Sequence, residues 1–471
     1  MGETSQTDAL VDRSTTLEEA MLAIDQSGLG LVVVVDDDRR LVGTATDGDI
    51  RRGILDGVSL DAPIEDVMNE DPVVVRESWG HSDVTDEYSP ARLQRASPEH
   101  GNLVVPIVDE DSAVTGVRFL TRNGDIIGAN SRLNGAVKTV LVVGGAGYIG
   151  SVLCGQLLDR DYTVRVLDPL LFGDHGISQY YENDRFTLIE GDMRSIETVM
   201  EAIEGVDAVV HLGGLVGDPA SSLDPSRTLA LNLHSVKLVA NICKYHQINR
   251  FLFASTCSVY GKGEIGDLLT EEDDLNPVSL YARTKIESER ELLAMNGNFA
   301  PTILRMATVY GLSPRMRFDL VVNVLNAKAH TEGVVPIFGG DQFRPNVHVA
   351  DAARAYVHCL EAPIEDVDHE VFNVGSNAQN YRIEEIGRIV ADHVPGATLD
   401  LQADKEDDRS YRVDFSKIER TLGYQTTHSI ESACDELGEA FDRGEFHDYT
   451  DKVYSNYKTA IEDSDIEAYA D

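Results

Sequence analysis

The segment that most constrains this chain is an apolar run, Val140-Leu141-Val142-Val143, which passes directly into Gly144-Gly145-Ala146-Gly147-Tyr148-Ile149-Gly150. A short run apolar at every position suits a strand buried on both faces, the condition of a parallel sheet covered by helices. Glycines at 144, 147 and 150 then predict a turn opening a helix. One allows the tight turn, one lets an anionic ligand approach the backbone at the positive helix end, and one permits close packing of helix on strand. The spacing is GxxGxxG rather than GxGxxG, and such turns also close ordinary βα units. A second apolar strand, over residues 162–167, ends in Asp168. A carboxylate there meets the ribose hydroxyls of an adenosine and repels a 2'-phosphate, so NAD is favoured over NADP unless Asp168 merely begins a loop.

A further apolar run over residues 251–255 leads into Thr256-Cys257-Ser258-Val259-Tyr260-Gly261, and Tyr281-Ala282-Arg283-Thr284-Lys285 follows. Tyr281 and Lys285 are four apart and share one helix face. An ammonium so placed favours a phenolate, which suits Tyr281 to act as a general base, with the Thr256 hydroxyl sharing the substrate oxygen. After residue 136 strands alternate with helical periods, which argues for an α/β fold.

In order and spacing these motifs resemble those of the extended short-chain dehydrogenase/reductases, the NAD-dependent nucleotide-sugar epimerase/dehydratase family. Stretches at 304–311, 338–351 and 372–375 extend the resemblance over nearly everything after residue 136. The resemblance implies a Rossmann-type doubly wound parallel sheet with a small C-terminal substrate-binding subdomain. It implies that Gly144, Gly147, Tyr148, Ile149, Gly150, Asp168, Asp192, Met193, Leu212, Gly213 and Lys285 hold NAD. Tyr281 then takes a proton from a sugar hydroxyl, Thr256 stabilises the oxygen, and Lys285 holds the ribose and tunes Tyr281. Asn232 matches a helix amide supporting this relay, or is a surface amide, and His211 reads as a buried strand residue rather than a catalyst. Arg344 and Arg409 are candidates for the substrate diphosphate, since a guanidinium suits phosphate, or are surface ion pairs.

Family dehydratases carry Asp-Glu after the catalytic Thr; Cys257 and Ser258 stand there here, which disfavours 4,6-dehydration. C4 epimerisation of a nucleotide sugar is the leading expectation, with keto-sugar reduction as an alternative. Cys257 raises a third possibility, proton exchange at C3 or C5, unless it only packs. Thr308 replaces the Asn usual after Arg305 in sugar-nucleotide epimerases, which leaves the base open. A non-catalytic NAD- and nucleotide-binding regulator is the rival reading, and an intact Thr256, Tyr281 and Lys285 argue against it.

Ahead of this region, Leu31–Val35, an acidic turn, Leu41–Thr46 and a helix near Asp49 form a β-β-α unit. The pattern returns at Leu103–Val108 and residues 113–120, an internal duplication. Residues 43–52 resemble a CBS module, so residues 1–130 read as an α+β CBS pair. In that family a Thr and an Asp three residues on, here Thr46 and Asp49, hold an adenine nucleotide; these residue types also cap helices. The second copy lacks the pair, so at most one conventional site is expected. Residues 136–446 then form the enzyme, and 447–471 an acidic, peripheral tail.

Acidic residues number 81 against 40 basic, a net charge of −41, which repels nucleic acid and anionic membranes. Acid spread along the whole chain resembles solvation for a salt-saturated cytoplasm, with an ordinary acidic enzyme as the alternative. Five isolated cysteines and no ligand spacing predict neither disulfides nor a metal. A polar N-terminus and the lack of long apolar runs predict a cytoplasmic protein, and both units suggest a homodimer.

Overall fold

The computed structural model describes residues 9–463 except 28, 77–78, 80, 97–102, 121–125, 133–136, 247, 262–267, 296–298 and 403–409. Seven parallel strands form the central sheet: β1 (Thr139–Val143), β2 (Thr163–Asp168), β3 (Phe186–Glu190), β4 (Ala208–His211), β5 (Arg250–Thr256), β6 (Ala300–Met306) and β7 (Val371–Val374). Their order is β3-β2-β1-β4-β5-β6-β7, a doubly wound sheet whose direction reverses between β1 and β4. Ligand crevices open at that point, outside the carboxyl ends of the strands. The unbroken apolar run of β1 has its cause here. Val140 and Val142 join the core on one face while Leu141 and Val143 join the core on the other. Each buried aliphatic side chain contributes roughly 1.5–3 kcal/mol relative to exposure.

Beyond the sheet, Thr308–Tyr310, Phe343–His348 and Asn380–Arg382 form a three-stranded sheet, and Val334–Phe338 pairs with Thr398–Gln402. Helices Val321–Glu332, Ile383–His393 and Ile430–Asp442 pack on these strands around a separate core. This is the expected substrate-side subdomain.

The residues after 446 depart from the expected peripheral tail. Phe446, Tyr449 and Tyr454 surround Phe318, with ring centroids 5.0, 6.0 and 5.3 Å away. Helix Asn456–Asp463 lies on helix Asp218–Leu223, with Ala460 against Leu215 and Ala220. Acidic composition suggested solvation, but four aromatic rings and a buried alanine carry enough apolar area to hold the segment down.

At the front, Leu10–Asp12 runs parallel to Leu31–Val35, which pairs antiparallel with Leu41–Thr46. Val75–Arg76, Leu103–Val108 and Val114–Leu120 repeat that arrangement, and Ile126–Arg132 adds a fourth strand that runs past residue 130, where the sequence reading ends the module. The two hairpin turns meet: Leu41 N–H donates to Ser112 O and Val114 N–H to Arg39 O, both at 3.0 Å. Among the described residues no helix is long and apolar enough to cross a membrane.

Candidate active site

A cavity of about 1280 Å³ opens where β1, β2, β4 and β5 end, and the two halves of its wall differ in chemistry. On the β1 side the chain is stripped of side chains. Gly144 has φ 82°, and a Cβ there would come within 2.7 Å of the Gly213 backbone nitrogen in the loop after β4. A Cβ at Gly150 would strike the Gly144 carbonyl oxygen. Gly147 is the N-cap of helix Tyr148–Leu158, and no side chain caps that first turn. A bare backbone cradle at a helix N-terminus suits a pyrophosphate. Asp168, at the end of β2, also lines the cavity; its carboxylate accepts from Ala146 N–H at 3.0 Å and Leu170 N–H at 2.9 Å. Burial raises its pKa above the usual carboxylate value, and those backbone bonds oppose the rise. These residues fit NAD. Tyr148, Ile149, Leu212 and Gly213 complete this half with Met193, whereas Asp192 is not among the lining residues. Its carboxylate is held by Arg194, Nε to Oδ2 at 2.9 Å.

The other half holds the reactive groups. Ser279 caps helix Leu280–Leu293 by accepting from Ala282 N–H, which places Tyr281 and Lys285 one turn apart facing the end of β5. Thr256 Oγ1 accepts from Ser258 N–H at 3.1 Å and lies near enough to the Tyr281 hydroxyl to favour its phenolate. Lys285 Nζ donates to Ala254 O at 2.7 Å and lies 5.9 Å from the Tyr281 ring centroid. The sequence suggested an ammonium drawing the phenol toward its working range. Instead burial dominates and pushes Tyr281 above its ordinary value, with the Arg317 charge pulling the other way, helped by the Thr256 hydroxyl. Burial likewise lowers Lys285 to about 8, against Glu289 one turn further along the helix. The amine is charged well below that value, so if Lys285 holds the NAD ribose as the resemblance implies, NAD affinity of the free enzyme is expected to be full at about pH 6–7 and to decline as pH rises through about 8. Titration of NADH fluorescence against pH will show this limb; an affinity flat from pH 7 to about 10 would refute it.

Asn232 is buried in a π-helical turn, Ala230–His234, a geometry frequent at functional sites. Its amide accepts from Leu215 N–H at 2.7 Å and donates to Leu215 O at 2.9 Å, so it fixes the loop after β4 and is not a surface group. His211 packs between Phe251 and Phe253, and neither ring nitrogen has a partner among the described residues. Burial lowers it to about 3, which keeps it neutral. Cys257 takes the packing role and not the alternative one: it lies in the core rather than in the cavity wall, its thiol bonded to Arg305 O at 3.2 Å. Burial raises its pKa, so it supplies no thiolate for exchange at C3 or C5.

On the substrate side Arg344 lines the cavity, its guanidinium 5.6 Å from the Tyr411 ring centre, whereas Arg409 lies outside the described residues. Sequence reasoning missed Arg315, Arg317, Lys328 and Asn456, which also line the cavity. Two arginines two residues apart in so acidic a chain were the available signal. Arg317 is held by Asp319 through bonds of 2.8 and 3.1 Å.

In the front module, Thr46 and Asp49 bond each other as a capping box, Thr46 N–H to Asp49 Oδ2 at 2.8 Å, and Arg52 closes on Asp49. The structure thus shows the capping role for both. His348, His428 and Glu436 cluster within 4.8 Å, a grouping the sequence did not suggest. His348 Nδ1 accepts from Ala350 N–H, which puts its hydrogen on Nε2, and Nε2 donates to Glu436 at 3.0 Å. The cluster is a hydrogen-bonded brace rather than a ligand set.

A profile described as the NAD dependent epimerase/dehydratase family matches residues 140–375, and one for the CBS domain matches residues 6–56. The chain is 29% identical over 306 residues to an uncharacterised UDP-glucose epimerase, YtcB, of Bacillus subtilis, covering 62% of this chain and 94% of that protein. It is 28% identical to a dTDP-glucose 4,6-dehydratase of Actinoplanes, covering 61% and 92%. Its fold matches the crystal structure of a UDP-glucuronic acid 4-epimerase from Bacillus cereus in complex with UDP-glucuronic acid and NAD. The TM-score is 0.58 and the identity 26%, over 65% of this chain and 99% of that one.

Proposed function

The chain belongs to the NAD dependent epimerase/dehydratase family, and from that membership we propose that it inverts C4 of a nucleotide-linked sugar through a 4-keto intermediate. The observation that carries this reading is that Thr256, Tyr281 and Lys285 meet in one cavity wall, with Cys257 and Ser258 rather than carboxylates after Thr256. Dehydration needs a further acid and base for C5 and the leaving hydroxyl, and positions 257 and 258 offer neither. Bound NAD supplies reversible hydride transfer at C4. Tyr281 removes the proton from the C4 hydroxyl and returns it to the same oxygen after the keto sugar has turned its other face, so that hydride comes back to C4 from the opposite side; Thr256 donates to that oxygen. Lys285 favours the phenolate by its charge. Arg344 holds the diphosphate, with Arg409 a second candidate, and the base and sugar stay unspecified.

The test is incubation with UDP-glucose, UDP-glucuronate and dTDP-glucose in molar KCl, which screens the charge of −41. A 4-epimer formed without net NADH is expected. A 4-keto-6-deoxy product, or turnover only with added NADH, would overturn the reading. Repeating the assay with AMP and ATP reads the proposed regulatory role of the CBS module, which unchanged rates would remove.

A further inference from the structure

Arg315 is the largest of the fully buried side chains, yet it lines the cavity. Its guanidinium lies 4.1 Å from the Phe172 ring centre, and among the described residues it hydrogen-bonds the Asn456 amide oxygen at 2.8 Å. Nε has no partner among the described residues, and the neighbouring carboxylate Asp319 is already engaged by Arg317. A buried cation bonded to a neutral amide is costly unless an anion completes it.

Its position tells which anion. The Arg315 side chain packs on Gly176, where an added Cβ would meet Arg315 Cβ at 2.9 Å and the Ala146 carbonyl and Ser151 Cβ at 3.2 Å. Ala146 belongs to the glycine turn and Ser151 to the first turn of the helix it opens. Asp168 is near enough for the two charges to interact. The Arg315 side chain thus leaves the backbone beside the glycine turn, and its charge acts on Asp168 at the end of β2, on the NAD half of the cavity. Asn456 is itself anchored twice, donating from its backbone to Asp319 at 3.1 Å and from its amide to Val216 O at 3.3 Å.

We propose that Arg315 is a cofactor-binding residue: seated by Asn456 and Phe172, it closes over the pyrophosphate of NAD lying at the glycine turn. The C-terminal segment thereby completes the dinucleotide site and slows cofactor release. This assignment is independent of which sugar reaction is run.

The experiment is a fluorescence titration of the full-length apoprotein with NADH, with displacement kinetics, for wild type, Arg315→Gln and Asn456→Asp. Arg315→Gln removes the charge; Asn456→Asp keeps the shape but pairs with the guanidinium and so consumes it. Each is expected to weaken NADH binding by about tenfold or more and to speed its release, the worth of a charge-assisted hydrogen bond. Should Arg315→Gln fail to fold, Asn456→Asp decides alone. NADH affinity within about twofold of wild type overturns the proposal, including the case in which KM for the nucleotide sugar rises instead.

Discussion

Tyr281→Phe loses about a thousandfold in kcat while NADH affinity stays at the wild-type level. The reason is chemical rather than structural. The ring is half-buried and its packing survives, whereas the hydroxyl faces the cavity beside Thr256, on a ring 5.9 Å from the Lys285 ammonium. Without it the C4 hydroxyl has no acceptor for its proton, and hydride transfer would have to generate an unstabilised charge. Single-turnover assays and NADH titration separate the two effects. A Tyr281→Phe enzyme with near wild-type kcat would show that the base lies elsewhere and would end the epimerase reading.

Arg305→Met is expected to destabilise the protein by about 3–5 kcal/mol, and Glu289→Leu by a similar amount. Arg305, in β6, reaches Glu289 on the catalytic helix with Nη2 at 2.7 Å and Nε at 3.2 Å, and both side chains are about 95% buried, their exposures being 5% and 3%. Ser255 donates to the same carboxylate, and Arg305 donates to Tyr260, which donates to Asn373 in β7. Removing one partner leaves an uncompensated charge in a dry interior, which is the expensive step. Removing both exchanges the pair for apolar contact, so the double variant should regain most of the loss. Urea unfolding in molar KCl measures all three. A double variant no more stable than either single would show that the pair's geometry, not its charge balance, holds the helix.

Much of this fold and site was legible in sequence because the signals are local. The apolar run of β1 reports burial on both faces, the glycines report a backbone that approaches itself too closely for a Cβ, and Tyr281 and Lys285 report one helix face. Asp168 was legible for the same reason, as the last residue of a strand ends in the crevice. Other assignments failed where a partner distant in the chain decides the outcome. Cys257 stands next to Thr256 in sequence, but the turn after β5 aims its thiol at Arg305 and not into the cavity. The phenol of Tyr281 is governed by burial more than by Lys285.

The order of strand, glycine turn, carboxylate, threonine and tyrosine determined that this chain builds a dinucleotide crevice, since each acts through its own turn of backbone. Only the tertiary structure decided what closes it. Asn456 lies 141 residues from the arginine it holds, in a segment whose acidic composition read as solvated tail, and Phe318 draws that segment down. Burial and long-range pairing depend on which surfaces meet, and no local pattern carries that information.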